Sequence, residues 1–160
     1  ALEKEGLMKK GSFQEIEMAT PSNNFGMGVT GEYPDQGITV DEFLHLVCRA
    51  LDVPSVRYSG KAKRIKKVAV CGGSGVFLKE KAMRAGADAF VTADVKYHDY
   101  FTEKSDFLLV DAGHYETEFP VVEAIRKELA EAFELLTVEA TEQVTNPMKV
   151  YVTEFENKNI

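Results

Sequence analysis

His114 and Glu118 stand four residues apart where a segment patterned as a helix begins. At that spacing an imidazole and a carboxylate share one helical face, a turn apart. Together they can hold one divalent metal, or one member of a metal pair. They follow the apolar run Phe107 to Val110 and then Asp111-Ala112-Gly113. Such a run reads as a buried strand of a parallel sheet. Sites in open α/β sheets gather at the carboxyl ends of strands, which is where this pair falls. Two donors do not complete a hydrolytic metal site, which needs three or more protein ligands and an open position for water. On spacing alone, a surface His satisfied by its neighbouring carboxylate weighs as much as a ligand pair. Asp111 and Glu116 either assist the pair or cap and solvate.

Two further polar clusters fall at strand ends. Gly72-Gly73-Ser74-Gly75 follows an apolar run and precedes a helix pattern. Glycines there let backbone N–H groups approach an anion, with Gly73 and Ser74 as the contacts. The segment matches neither the dinucleotide pattern nor the P-loop, so a tight turn without ligand is an equal reading. Thr92-Ala93-Asp94-Val95-Lys96-Tyr97-His98-Asp99 ends the next strand. Asp94 there caps a short helix in the ordinary reading. In the functional one, Asp94, Lys96 and His98 form a polar wall for a substrate or a proton shuttle. His45 lies inside a helix pattern and reads as structural.

The elements that must position these residues follow from pattern. Thr39 with Glu42 makes a capping box for a helix over residues 40–51. Val40, Phe43, Leu44, Val47, Cys48 and Leu51 share its apolar side. Phe13, Ile16 and Met18 suggest a strand, residues 21–24 and 34–37 turns, and residues 25–31 a Gly-rich strand. Residues 55–58, 65–71, 89–92 and 107–110 read as strands, with helices over 77–85, 95–101 and 120–133. Gly86 closes the first of these helices. Val121, Val122, Ile125, Leu129 and Ala132 point inward on the last. Strands over 135–139 and 149–153 complete the reading. From Ile65 onward helices and strands alternate, which predicts an α/β fold with a mainly parallel sheet and helices packed on it.

A chain of 160 residues, 44% hydrophobic and 28% charged, holds one ordinary globular domain. A net charge of -7 argues against a nucleic-acid surface, which needs a basic stripe. The basic stretch from Arg57 to Lys67 reads as a solvated loop and strand edge. Cys48 and Cys71 lie within apolar patterns, as thiols of a reduced, cytoplasmic protein do. No apolar run is long enough to cross a bilayer. No repeat or low-complexity segment is visible.

Four blocks in order resemble the C-terminal half of the Nif-three-like family, whose members are named GTP cyclohydrolase 1 type 2 homologues. They are Val68 to Gly75, Ala85 to Asp88, Thr92 to His98 and Asp111 to Glu118, with Thr145-Asn146-Pro147 resembling the closing motif. The resemblance runs from about Phe25 to Tyr151. It implies a dinuclear metal centre between two similar α/β halves, in a ring-shaped homohexamer whose sites face an internal cavity. It carries His114 and Glu118 over as metal ligands, with Glu118 placed to bridge two ions. Asp94 and His98 fall in a motif expected to line the cavity. Ala93 departs from the Gly usual before that Asp. The N-terminal half would supply a His-His pair and an Asp, and no His-His occurs in this sequence. The implied organisation is a tail of a preceding domain over 1–24 and a C-terminal α/β domain over 25–160.

The resulting expectation is a metal-dependent, hydrolase-like protein carrying half of a dinuclear site. It would bind divalent ions, two per complete site, with Zn, Fe, Mn and Mg indistinguishable. Asp94, Lys96, His98, Gly73 and Ser74 would face a small-molecule substrate. The rival is a non-catalytic metal-binding or metal-insertase protein that works through protein contacts. The isolated chain, its apolar face uncovered, is expected to self-associate, with neither membrane nor nucleic acid as partner.

Overall fold

The structure, a computed structural model, describes residues 14–16, 26–34, 36–102 and 106–151. Its centre is a six-stranded mixed sheet. In chain order the strands are β1 (Gln14–Ile16), β2 (Gly28–Glu32), β3 (Ile38–Thr39), β4 (Arg57–Ser59), β5 (Arg64–Ile65), β6 (Lys67–Val70), β7 (Ala89–Thr92) and β8 (Leu108–Asp111). The sheet order is β1-β2-β6-β7-β8-β4, with β3 and β5 forming a separate small ladder. β6, β7 and β8 run parallel, while β2 and β4 flank them antiparallel. The helices are α1 (Val40–Leu51), α2 (Lys79–Arg84), α3 (His114–Glu118) and α4 (Pro120–Ala132). The chain is thus α/β, with the parallel strands at its middle.

Strand alternation explains why the sheet is buried on both faces. Val68, Ala89, Val91, Leu108 and Val110 face Phe43, Leu46 and Val47 of α1. Ala69, Phe90 and Leu109 face the other way, toward Leu78 and Ala82. Every residue of β7 and β8 is buried, which is why these strands read as unbroken apolar runs. α1 starts at the expected capping box: the Glu42 N–H donates to Thr39 Oγ1, and the Thr39 N–H donates to Glu42 Oε2 at 2.8 Å. That backbone hydrogen bond is the main cause holding the Glu42 carboxyl below its usual range. The buried face of α1 includes Leu46, which the periodicity left out, and Cys48 is only half-buried.

Several expected elements shift for identifiable reasons. The strand over 65–71 divides, because the Asp88 carboxylate takes the N–H groups of both Lys66 and Lys67 at the break. The helix over 77–85 begins as a 3-10 turn, Val76–Leu78, and Gly86 closes it at φ +79°. The helix over 95–101 is a single 3-10 turn, Tyr97–Tyr100. A short helix, α3, opens at His114 as its spacing with Glu118 suggests and holds the candidate pair, one turn ahead of the helix expected over 120–133. Its continuation α4 does not bury its apolar side: Val121 is 54% and Ile125 52% exposed. No described element covers that face. A strand needs a ladder to accept its amides and carbonyls. None of the described strands pairs with residues 135–139 or 149–151, and 152–153 lie outside the described residues. Phe13, Met18 and the turn at 21–24 also lie outside them, as does most of the expected tail over 1–24.

Tyr33 is buried beside α1, and among the described residues its hydroxyl has no hydrogen-bond partner. Burial pushes its pKa up to about 12. A phenol whose pKa is raised by burial leaves stability independent of pH below its unfolded value near 10, and stability then declines as pH climbs from there toward 12. Tyr33→Phe removes a hydroxyl that is desolvated without recompense. The variant is expected to unfold at the same or higher urea concentration at pH 7. It should also lack the wild-type decline above pH 10. A loss of more than about 1 kcal/mol at pH 7 would mean the hydroxyl has a partner.

Candidate metal centre

Loops leaving the carboxyl ends of the three parallel strands converge on His114. The first turn of α3 carries His114 and Glu118 on one face, and His114 Nε2 lies 3.2 Å from Glu118 Oε1. The other ring nitrogen, Nδ1, lies 2.7 Å from Asp94 Oδ2, from the loop after β7. These three side chains are about half exposed, at 45%, 56% and 50%. The imidazole is held above its ordinary range, first by the hydrogen bond to Asp94 and then, against partial desolvation, by the charges of Asp94 and Glu118. The ordinary capping role for Asp94 is not what the structure has. The short helix after it begins past Lys96, whose N–H donates to Asp99 at 3.3 Å.

Gly73, from the loop after β6, forms the floor. A Cβ there would lie 2.3 Å from Glu118 Oε1 and 3.3 Å from His114 Nε2. The backbone at Gly73 has φ +62°, a region that favours glycine. The loop is tied down on all sides. The Gly73 N–H donates to Thr117 Oγ1 at 2.9 Å, and the Gly75 N–H donates to Thr92 Oγ1 at 3.0 Å. The Gly73 carbonyl accepts from the Ala93 N–H at 2.9 Å. These two glycine amides therefore serve the fold rather than an anion. Ser74 is exposed at the loop tip.

The remaining candidates separate. Lys96 and His98 are exposed, and His98 packs edge-on against Tyr97. No hydrogen bond or ion pair among the described residues joins either side chain to His114 or Glu118. Asp111 is not available to a ligand. It is 3% exposed and accepts from Arg57 Nη2 at 2.6 Å, from the Val95 and Gly113 N–H groups and from the Tyr100 hydroxyl. It knits β4 and the loops after β7 and β8 together. Glu116 turns toward the tail and accepts from Asn146 Nδ2 at 2.7 Å, which draws the closing motif onto α3. His45 Nδ1–H donates within α1 to the Asp41 carbonyl at 2.9 Å. Thr117 was missed by sequence reasoning. It sits between the two ligand candidates and clamps α3 to the glycine loop, yet nothing in its spacing marks it.

The donor set fits one side of a metal centre. A nitrogen and an oxygen donor meet over a glycine whose place no side chain could take without displacing them. Among the described residues no group of three or more His, Cys, Asp or Glu side chains is placed to hold an ion. Further donors would have to come from beyond those residues.

Comparison with known proteins places the chain in a family. The family model described as Duf34/NIF3 (NGG1p interacting factor 3) matches residues 4–147. A Staphylococcus epidermidis protein named GTP cyclohydrolase 1 type 2 homolog is 39% identical over 144 residues, covering 86% of this chain and 38% of the relative. The crystal structure of a Staphylococcus aureus protein superposes with a TM-score of 0.72 at 34% identity, over 79% of this chain and 43% of that one. A Bacillus cereus protein described as related to NIF3 gives 0.70 at 29% identity, over 79% and 36%. The chain spans about two-fifths of the length of the curated relatives it matches.

Proposed function

Because this chain belongs to the Duf34/NIF3 family, we propose that it supplies one side of a divalent-metal centre in a hydrolase-like protein. The observation that carries the reading is the meeting of His114 Nε2 and Glu118 Oε1, 3.2 Å apart, above a glycine that no side chain could replace without displacing them. The names of its relatives, GTP cyclohydrolase 1 type 2 homologues, support the same reaction class. His114 and Glu118 would hold the ion, and the remaining donors would come from outside the described residues. A nitrogen and a carboxylate oxygen suit Zn, Fe, Mn or Mg without separating them. When bound, such an ion lowers the pKa of water and polarises a substrate oxygen.

The chain's own residues define the surroundings of that centre. Lys96, His98 and Ser74 are exposed on the same strand-end side and are proposed to meet a small-molecule substrate at the rim. Gly73 keeps the floor clear. The uncovered apolar side of α4 supports self-association, with a homohexamer as the proposed assembly of the whole protein. No helix among the described residues is long and apolar enough to cross a membrane, and both cysteines are free. These features support the cytoplasm as the proposed location.

Metal content by elemental mass spectrometry tests the reading, after loosely held ions are removed. About one or two ions per chain are expected in the wild type and none in His114→Ala. A wild-type chain without metal, in the presence of excess Zn2+, Mn2+ and Fe2+, would overturn it.

A further inference from the structure

We infer that Asp94 is a positioning residue for His114: it takes the Nδ1 proton and so keeps the Nε2 lone pair turned toward Glu118 and the metal position. The inference rests on the metal reading for its purpose, but not for its geometry. A neutral imidazole has one N–H and one lone pair, and the hydrogen bond at one nitrogen decides what the other can do. His114 has a carboxylate at each nitrogen. The contact to Asp94 is 2.7 Å, and the contact to Glu118 is 3.2 Å. The shorter, charge-assisted bond is the stronger one. In the neutral ring the proton therefore belongs on Nδ1, against Asp94.

The backbone is arranged to bring Asp94 there. Asp94 has φ +55°, one of two non-glycine residues at positive φ among those described. That conformation is unfavourable for most side chains and is tolerated best by Asn and Asp. It is locked from both sides. The Ala93 N–H donates to the Gly73 carbonyl at 2.9 Å, and the Val95 N–H donates to Asp111 Oδ2 at 3.3 Å. Ala93 and Val95 are buried. The kink between them turns the half-exposed Asp94 carboxylate across to the loop after β8. The carboxylate caps no helix and fills no core. Its one described partner is the ring of His114.

Two variants separate this role from a structural one. Asp94→Gly removes the carboxylate at a position where glycine is relaxed. Asp94→Asn keeps a neutral acceptor and the same backbone preference. Long-range 1H–15N NMR of the His114 ring, recorded at a pH where the ring is neutral, reads which nitrogen holds the proton. Zn2+ titration by calorimetry reads affinity. The wild type is expected to hold the proton on Nδ1. In Asp94→Gly the proton should move to Nε2, facing Glu118, and Zn2+ affinity should fall about 10- to 100-fold. Asp94→Asn should recover the Nδ1 proton and most of the affinity. An Nδ1 proton retained in Asp94→Gly would overturn the inference, whether or not Zn2+ binds. A wild type that binds no Zn2+ would defeat the metal reading alone, because the ring proton still decides the part played by Asp94.

Discussion

Gly73→Ala is expected to abolish or nearly abolish divalent-metal binding while leaving the chain folded. A methyl at this position would sit 2.3 Å from Glu118 Oε1 and 3.3 Å from His114 Nε2. The glycine loop cannot retreat, because Gly73 is held through its N–H by Thr117 and through its carbonyl by Ala93 and Thr92. Glu118 is a half-exposed side chain at the surface, so it is the group that gives way. Relief of the clash therefore removes one of the two donors. The expected loss in Zn2+ affinity is at least the roughly 10- to 100-fold seen when a metal site's supporting residues are removed. The positive φ adds a stability cost of about 1–2 kcal/mol. Gly86→Ala is the matching control. It has φ +79° and nothing within 4 Å of the added carbon, so it carries the backbone cost without touching the site. Calorimetric Zn2+ titration of both variants checks the expectation. If Gly73→Ala binds Zn2+ as the wild type does, Glu118 is not a ligand in the way described.

The isolated chain is expected to associate in solution, and charges placed on α4 are expected to prevent it. Val121, Val122, Ile125 and Leu129 recur at helical spacing, and all are exposed. Phe119 and Phe133 extend the stripe at either end, each more than half exposed. Burying one such side chain is worth about 1.5–3 kcal/mol, so a few of them meeting a second copy suffice for association. The double substitution Ile125→Glu and Leu129→Lys breaks the stripe and places a favourable i,i+4 pair on the helix. Neither side chain is in the core, so the fold should survive. Light scattering after size exclusion should show the wild type above its 17.8 kDa monomer mass and the variant at it. Unchanged far-ultraviolet circular dichroism would confirm that only association was lost. A monodisperse wild-type monomer at working concentration would sink this prediction.

The apolar pattern of α4 illustrates where a one-dimensional reading stops. Period alone identifies the stripe at Val121, Ile125 and Leu129, and period alone assigns it inward. Whether a stripe is buried depends on what lies opposite, and here no described element does. The strands expected at 135–139 and 149–153 fail for a related reason. Their composition suits a strand, but a strand is a pairing, and no described edge accepts one at 135–139 or 149–151. By contrast the runs at 89–92 and 107–110 are β7 and, one residue along, β8. Both faces of those strands meet helices or loops, so unbroken hydrophobicity is the only pattern their burial permits.

What the sequence determined by itself is local. The Thr39 and Glu42 cap, the α1 span, the buried runs of β7 and β8 and the one-turn spacing of His114 and Glu118 all follow from neighbours within a few residues. So did the resemblance to the family, whose blocks are contiguous stretches. Tertiary structure decided what each polar group meets. Asp94 and Asp111 look alike in sequence, each an acid at a strand end. One reaches a histidine 20 residues away, while the other is buried and bonded to an arginine 54 residues away. Gly73 and Gly75 look like an anion cradle until Thr117 and Thr92 occupy their amides. Those pairings depend on how three parallel strands register side by side, and register is set by packing over the whole sheet.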